Sequence, residues 1–268
     1  MTFCFAQQYD EIDAQVDPLS GLIEVKQLFR YTNETSTALD TLYLYDWNHA
    51  YSDTSTPLAA KLAEEFNFQF EKSKSDKKGN TKIHEFRTTQ GSLNWHRLEK
   101  QKDIVAIHLT HPIQPQDSVV FSASYVVKLP ADDFTGYGID KNDEINFRNG
   151  FLQFANQDFD GHWNLDSNYG FNDRSALRSP TKFTICFPED YTIIPSIKGD
   201  LHKGCWQAKD QIQGDLAFYL KRTNDFKSLG SSNFEIMTDM ADDLEANQTS
   251  CQNHKTNTKI CRGFFRKS

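Results

Sequence analysis

The sequence predicts an all-β chain, an antiparallel β-sandwich with one short amphipathic helix. Three observations predict it. Apolar residues recur at every second position through much of the first half of the chain, which is the strand period. The runs are separated by short turn-forming clusters, not by the dozen or more residues that a helical crossover between parallel strands needs. Of the 268 residues, 13% are aromatic and 21 are Phe, a composition suited to packed β layers. A chain of this length buries a large core without disulfide help.

In chain order, Ile12, Ala14 and Val16 share one side of an extended segment over residues 9–16. Asp17, Pro18 and Gly21 mark a tight turn. On the return strand Ile23, Val25, Phe29 and Tyr31 share a face, with Glu24, Lys26 and Arg30 on the other. Residues 32–36 break it. A third strand then puts Leu39, Thr41, Tyr43, Tyr45 and Trp47 on one side, and the three strands are expected to pair as a meander. Thr56 followed by Pro57 is a helix start, with Thr as cap and Pro at the first helical position. Leu58, Leu62 and Phe66 recur at helical spacing, so the helix is amphipathic and expected against a sheet edge. A Lys-rich loop comes next, ending at Gly79 and Asn80. Strands resume over residues 82–87, 93–98, 103–109 and 118–129. The last is nearly continuously apolar from Val119 to Val127 and is expected to be central. Weaker strands surround Trp206, residues 216–220 and residues 234–237.

Residues 147–173 form a long aromatic, Asn- and Asp-rich stretch that feeds through Ser179 and Pro180 into a strand carrying Phe183, Ile185 and Phe187. A loop of this length in a compact domain tends to be functional or an interface. Its aromatic residues are Phe147, Phe151, Phe154, Phe159, Trp163, Tyr169 and Phe171. Such a set can stack on sugars, meet another domain, or pack beneath its own loop.

The net charge of -8 removes the electrostatic footprint of nucleic-acid binding. The Lys-rich run over residues 72–78 reads as a solvated loop. No apolar run reaches the ~20 residues of a membrane-spanning helix. Residues 1–8 read as the end of a secretory signal, so the chain is expected to be secreted or periplasmic. The five cysteines are an odd count without close pairs, so no disulfide framework can be argued, and Cys186 reads as a buried thiol. From residue 241 the apolar periodicity ends; residues 241–268 read as a disordered or truncated tail, leaving residues 9–240 as the β domain.

Candidate chemistry fails on geometry. His108 and His111 have helical metal-pair spacing but lie in a strand, where positions three apart face opposite ways. His84 and Glu85 begin like a zinc-peptidase helix, yet Thr88 stands where the second His must be. A calcium frame counted from Asp158 places Trp163 at the Gly position and Tyr169 at the bidentate Glu position. Asx-turn bonding is the expected work of the loop's Asp and Asn residues. There is no G-x-S-x-G elbow, Walker loop or G-x-G-x-x-G. No catalytic residue and no metal ligand is assigned.

Two stretches together resemble one family. The first is VDPLSGLIEVKQLFRYTNETSTALDTLYLYDWNHAYS, with Tyr31, Asn33, Leu39, Leu42, Leu44 and then Asn48, Ala50 and Tyr51 in a recurring pattern. The second runs from VVKLPADDFTGYGI through GHW to FTICFPEDYTIIPS, and YLKRTNDFKSLGSSNFEIMTDMADD is a weaker third echo. The pattern is similar to the N-terminal domain of bacterial aminopeptidase N-like zinc metallopeptidases. The resemblance implies a saddle-like β-sandwich beside a thermolysin-like domain that carries G-x-M-E-N and H-E-x-x-H, neither of which is in this sequence. It therefore implies no cofactor in this chain, with zinc only in the missing domain. The implied partner is a peptidase catalytic domain or another protein, with peptide as possible substrate. Trp163, Tyr169, Phe171, Asn172 and Asp173 become candidates for the substrate cleft or interface; the family's polar loop departs at most positions here. A secreted carbohydrate-binding or protein-interaction module, using Trp163 and Tyr169, is the alternative.

Overall fold

The computed structural model describes residues 9–158, 161–170, 180–210, 216–222, 227–231, 234–238 and 264–267. In chain order the strands are β1 (Tyr9–Asp17), β2 (Leu22–Thr32), β3 (Leu39–Tyr45), β4 (Asn80–Thr88), β5 (Gly91–Ser92), β6 (Asn94–Arg97), β7 (Ile104–Ile113), β8 (Ser118–Lys128), β9 (Gly138–Ile139), β10 (Ile145–Arg148), β11 (Gln153–Phe154), β12 (Thr181–Cys186), β13 (Thr192–Pro195), β14 (Asp200–His202), β15 (Cys205–Asp210), β16 (Ala217–Lys221), β17 (Lys227–Ser231), β18 (Phe234–Thr238) and β19 (Phe264–Lys267). The chain is all-β, as its periodicity requires, and one helix, α1 (Pro57–Glu64), exceeds a turn or so.

An eight-stranded sheet has the order β14-β15-β12-β1-β2-β8-β4-β5, and a four-stranded sheet the order β11-β3-β7-β6. One core lies between them. Ile12, Ala14 and Val16 of β1, Ile23, Val25 and Phe29 of β2, and Phe121, Ala123, Tyr125 and Val127 of β8 meet Leu42 and Leu44 of β3 and Val105 and Ile107 of β7. Phe29 stacks on Phe121 at 4.9 Å and meets Phe154 edge-on at 5.4 Å, while Phe86 meets Trp95 across the sheets. A second four-stranded sheet, β13-β16-β10-β9, adds Ile145, Phe147, Phe218 and Leu220 to the same core. β8 lies between β2 and β4, the central place expected for it, with Val120, 41% exposed, on its outer side.

The β1–β2 turn forms as its residues dictate. The Asp17 carboxylate accepts from the Leu19 amide at 3.1 Å and the Ser20 hydroxyl at 2.6 Å, and Gly21 takes φ +66°. The expected meander, however, does not form. β2 pairs with β8, and β3 leaves for the other sheet to pair with β7. Asn33 is the cause. Its fully buried amide group donates to Thr37 O and Ile113 O and accepts from the Thr35 amide and hydroxyl. Its backbone exchanges hydrogen bonds with Asp117 O and the Gln116 amide. The two connections that switch sheets, β2 to β3 and β7 to β8, are thereby tied together at one corner. On β3, Leu42 and Leu44 take the main core and Tyr43 and Tyr45 the outer face.

Thr56 caps α1, its hydroxyl accepting from the Ala59 amide at 3.3 Å, and Leu58 and Leu62 are buried. Phe66 does not continue the buried stripe. The helix ends at Glu64, Phe66 adopts φ +60° and is 83% exposed, and Phe70 fills the interior instead.

The cysteine reading is corrected. Cys186 and Cys205 are directly opposite on β12 and β15 and form a disulfide. Nineteen residues apart in sequence, they are brought into register only by the pairing of their strands. Pairing along β1 also differs from the antiparallel expectation: β12 runs parallel to it, alone in this among the described strand pairs. Of residues 241–268 only Phe264–Lys267 is described, and it pairs antiparallel with β18. Residues 1–8 lie outside the described residues.

Candidate functional site: the aromatic loop and its seat

The described part of the 147–173 stretch is bound to the sandwich almost throughout. Phe147 lies in β10 and stacks on Phe218 at 4.8 Å; Phe151 and Phe154 are core residues. Gln27, buried at an inward position of β2, anchors the chain at Leu152. Its amide donates to Leu152 O at 3.0 Å and accepts from the Tyr125 hydroxyl at 2.6 Å, while that same hydroxyl accepts from the Leu152 amide. A polar residue in an otherwise apolar alternation is the sequence signal for this clamp.

Beyond Phe154 the chain covers the outer face of the second sheet. The Ala155 amide donates to Tyr43 O, the Tyr45 hydroxyl to Asn164 O, and Gln101 to Leu165 O. Tyr45, Ile104 and Ala155 form a second, smaller core there, flanked by Tyr43, Trp47, Leu98, Trp163 and Leu165. A tight reversal carries the chain out and back. Asp158 accepts from the His162 amide at 2.8 Å, its own amide donates to His162 O, and Gln157 bridges to Trp163. Asp158 thus braces backbone four residues on, while the two-residue Asx-turn expected of such side chains is made by Asn168, which accepts from the Gly170 amide. Trp163 itself is half-buried, 6.0 Å from the Tyr31 ring and 5.6 Å from Tyr43, and the Tyr31 hydroxyl donates to Gln157. Burial raises the Tyr31 pKa, Glu34 adding to the effect, so the phenol stays a donor.

The loop's far end is held by Asp103, which is fully buried. One carboxylate oxygen accepts from the Ser167 hydroxyl at 2.8 Å and the other from the Asn168 amide at 2.6 Å. Asn168 then donates to Trp47 O and accepts from the Gly170 amide. Local sequence does not single out Asp103 as an anchor, because the partners it needs, Ser167 and Asn168, are 64 and 65 residues away. Gly170 passes close to Leu58 of α1, and Tyr169 is 38% exposed beside it. Of the candidate residues, then, Trp163 is inside the loop's own packing and Tyr169 is at the surface. Phe171, Asn172 and Asp173, with Phe159, lie outside the described residues.

Next to this end of the loop is a buried polar junction. Asp46, 1% exposed, accepts from Arg97 at 2.7 Å, from the Thr81 hydroxyl at 2.6 Å and from the His49 amide. Arg97 also donates to Thr81 O and Lys102 O. Asn48, fully buried, donates to Lys128 O and Thr81 and accepts from the Tyr137 hydroxyl at 2.9 Å. These bonds join β3 and β6 of one sheet to β4 and β8 of the other. The His49 ring is held neutral, its pKa lowered to about 4 by burial and then by Arg97, with Asp46 and the Thr81 amide opposing. No group of three or more metal-ligating side chains occurs among the described residues. The junction can hold two sheets together; it offers no reacting atom to a substrate.

No protein-family model and no curated protein matches this chain. Among solved structures it is similar to an M1 zinc metallopeptidase from Deinococcus radiodurans, with TM-score 0.48 and 9% identity over 84% of this chain and 43% of that one. It is also similar to a two-domain M1 zinc metallopeptidase variant bound to L-arginine, with TM-score 0.47 and 10% identity over 84% of this chain and 44% of that one. For yeast LTA4 hydrolase in complex with bestatin the TM-score is 0.43 and the identity 11%, over 84% of this chain and 29% of that one. The chain spans less than half the length of each of these metallopeptidase structures.

Proposed function

We propose that this chain is the non-catalytic N-terminal β domain of an aminopeptidase-type zinc metallopeptidase, and that it packs against a catalytic domain and helps shape the substrate cleft. The observation that carries the reading is where the resemblance pattern falls. Asn33 and Asn48 stand at the two ends of β3, and each is a fully buried amide that ties one sheet to the other. The pattern therefore consists of residues that make the sandwich, which is the kind of signal a domain family would carry. The zinc of such an enzyme belongs to the catalytic domain. Exposed Tyr169, with Phe171, Asn172 and Asp173 after it, is the proposed edge toward the cleft. The Cys186–Cys205 disulfide supports a secreted or periplasmic location, since such bonds persist in oxidising compartments. Trp163 is half-buried and engaged with two tyrosines, which counts against the carbohydrate-module reading.

The test begins with the DNA adjoining the coding sequence, where a frame carrying G-x-M-E-N and H-E-x-x-H is expected. Co-expressed with this chain, its product should sediment as a 1:1 complex and hydrolyse aminoacyl reporter substrates, and the chain alone should not. Halves that remain apart, or an oligosaccharide complex of the isolated chain that Trp163→Ser abolishes, would overturn the proposal.

A further inference from the structure

Positions three apart on a strand face opposite ways, which separates His108 from His111, but β7 brings His108 a different neighbour. In the β6–β7 register Asn94 is opposite His108 and His96 opposite Ala106, so the imidazoles of His96 and His108 lie diagonally across the same outer face. Both residues are exposed. Their rings stack with centroids 5.1 Å apart and planes 15° from parallel, and Nε2 of His108 is 3.2 Å from Nδ1 of His96. The other nitrogen of His108, Nδ1, is 3.3 Å from the Thr41 hydroxyl, which donates to the Asp40 carboxylate at 3.0 Å. Because the Thr41 proton goes to Asp40, its oxygen is free to accept. A neutral His108 therefore carries its proton on Nδ1 and turns the Nε2 lone pair toward His96.

From this geometry we propose that His96 and His108 form a two-imidazole site for a borderline divalent transition-metal ion, such as Zn²⁺. Two nitrogens bound to one such ion at roughly 2.0–2.1 Å, with a tetrahedral angle between them, are about 3.3 Å apart. The pair is already at 3.2 Å without metal, so little rearrangement is needed. Binding asks only that His96 move its proton from Nδ1 to the solvent-facing Nε2. The Asp40–Thr41–His108 chain fixes ring orientation and tautomer as carboxylate partners behind metal-bound imidazoles do. Cross-strand placement on paired β6 and β7 fixes both backbones, which a site on a loop would not. With no third ligand beside the pair among the described residues, water completes the coordination and the ion exchanges readily.

The inference stands apart from the peptidase reading and is tested separately, by titrating the chain with Zn²⁺ while monitoring the histidine ring signals by NMR. The His96 and His108 signals should shift together and saturate at one ion per chain, with His84 and His162 unmoved. His96→Ala and His108→Ala should each abolish the response of the remaining partner. Thr41→Val, which removes only the backing hydroxyl, should weaken binding by about tenfold while leaving the fold intact. Zinc that shifts all histidines alike, or that binds the double variant as well as the parent chain, overturns the proposal.

Discussion

At the scale of single residues, the buried ion pair between Asp46 and Arg97 is where one substitution should matter most. Pairs of this kind stabilise little relative to apolar packing, but breaking one leaves an uncompensated charge inside. Asp46→Ala is expected to cost on the order of 3 kcal/mol in urea unfolding, and the double variant Asp46→Ala/Arg97→Met less than the sum of the two single changes. His49 adds a pH dependence. Its folded pKa, about 4, lies below its ordinary 6.5, so the unfolded chain binds the proton more readily. The contribution is complete above pH 6.5 and is lost as pH falls toward 4, by at most about 3 kcal/mol. His49→Gln should flatten the stability profile in that window. Asp53 acts lower. Against the opposing effect of its partial burial, bonds from Ser55 and Lys102 bring its pKa to about 2, so its share disappears only as pH falls from 3.8 to 2. A profile falling first below pH 3.8 would show that the His49 ring is not held neutral.

At the scale of elements, the disulfide and the helix carry the clearest expectations. Linking Cys186 to Cys205 closes a loop of nineteen residues in the unfolded chain, which corresponds to roughly 3 kcal/mol of stabilisation. Reduction should lower the urea midpoint of the parent chain and leave that of Cys186→Ala/Cys205→Ala unchanged; equal sensitivity in both would refute the bond. On α1, Leu62→Ala opens a hole in the core and should cost about 2–5 kcal/mol, whereas Phe66→Ser, at a position 83% exposed, should change stability by less than ~0.5 kcal/mol. Helical spacing alone ranks Leu62 and Phe66 as equals. Phe66 escapes because the backbone leaves the helix two residues before it.

At the scale of the whole molecule, the aromatic loop acts as a cover for the second sheet. Without it, Tyr43, Tyr45 and Trp47 would form an apolar outer face on a sheet whose other face is already core. Trp163→Ala should therefore act on folding, lowering stability by roughly 2 kcal/mol and raising hydrogen exchange of the Tyr43–Tyr45 amides. Tyr169→Ala should leave both unchanged, since that ring stands at the surface. If instead Trp163→Ala left exchange and stability untouched, the loop would have to be regarded as a separable appendage.

What the sequence determined by itself was everything that depends on neighbours a few residues apart. Period-two alternation located β1 and β2, a nearly continuous apolar run located β8, and Thr56 with Pro57 located the start of α1. The same local logic argued against a shared ion for His108 and His111. What only the tertiary structure decided were the pairings between distant segments. Alternation states that a strand has an inner face but not which sheet that face closes, so a meander was as consistent with β1 to β3 as the sandwich corner that Asn33 makes. Cys186 meets Cys205, His96 meets His108 and Gln27 meets Leu152 only through strand register and layer packing. The candidate site divides in the same way. The aromatic loop was visible as a composition, yet which of its rings face inward depended on the sheet beneath it, because Tyr31 and Tyr43, more than a hundred residues earlier, supply the surface on which Trp163 rests.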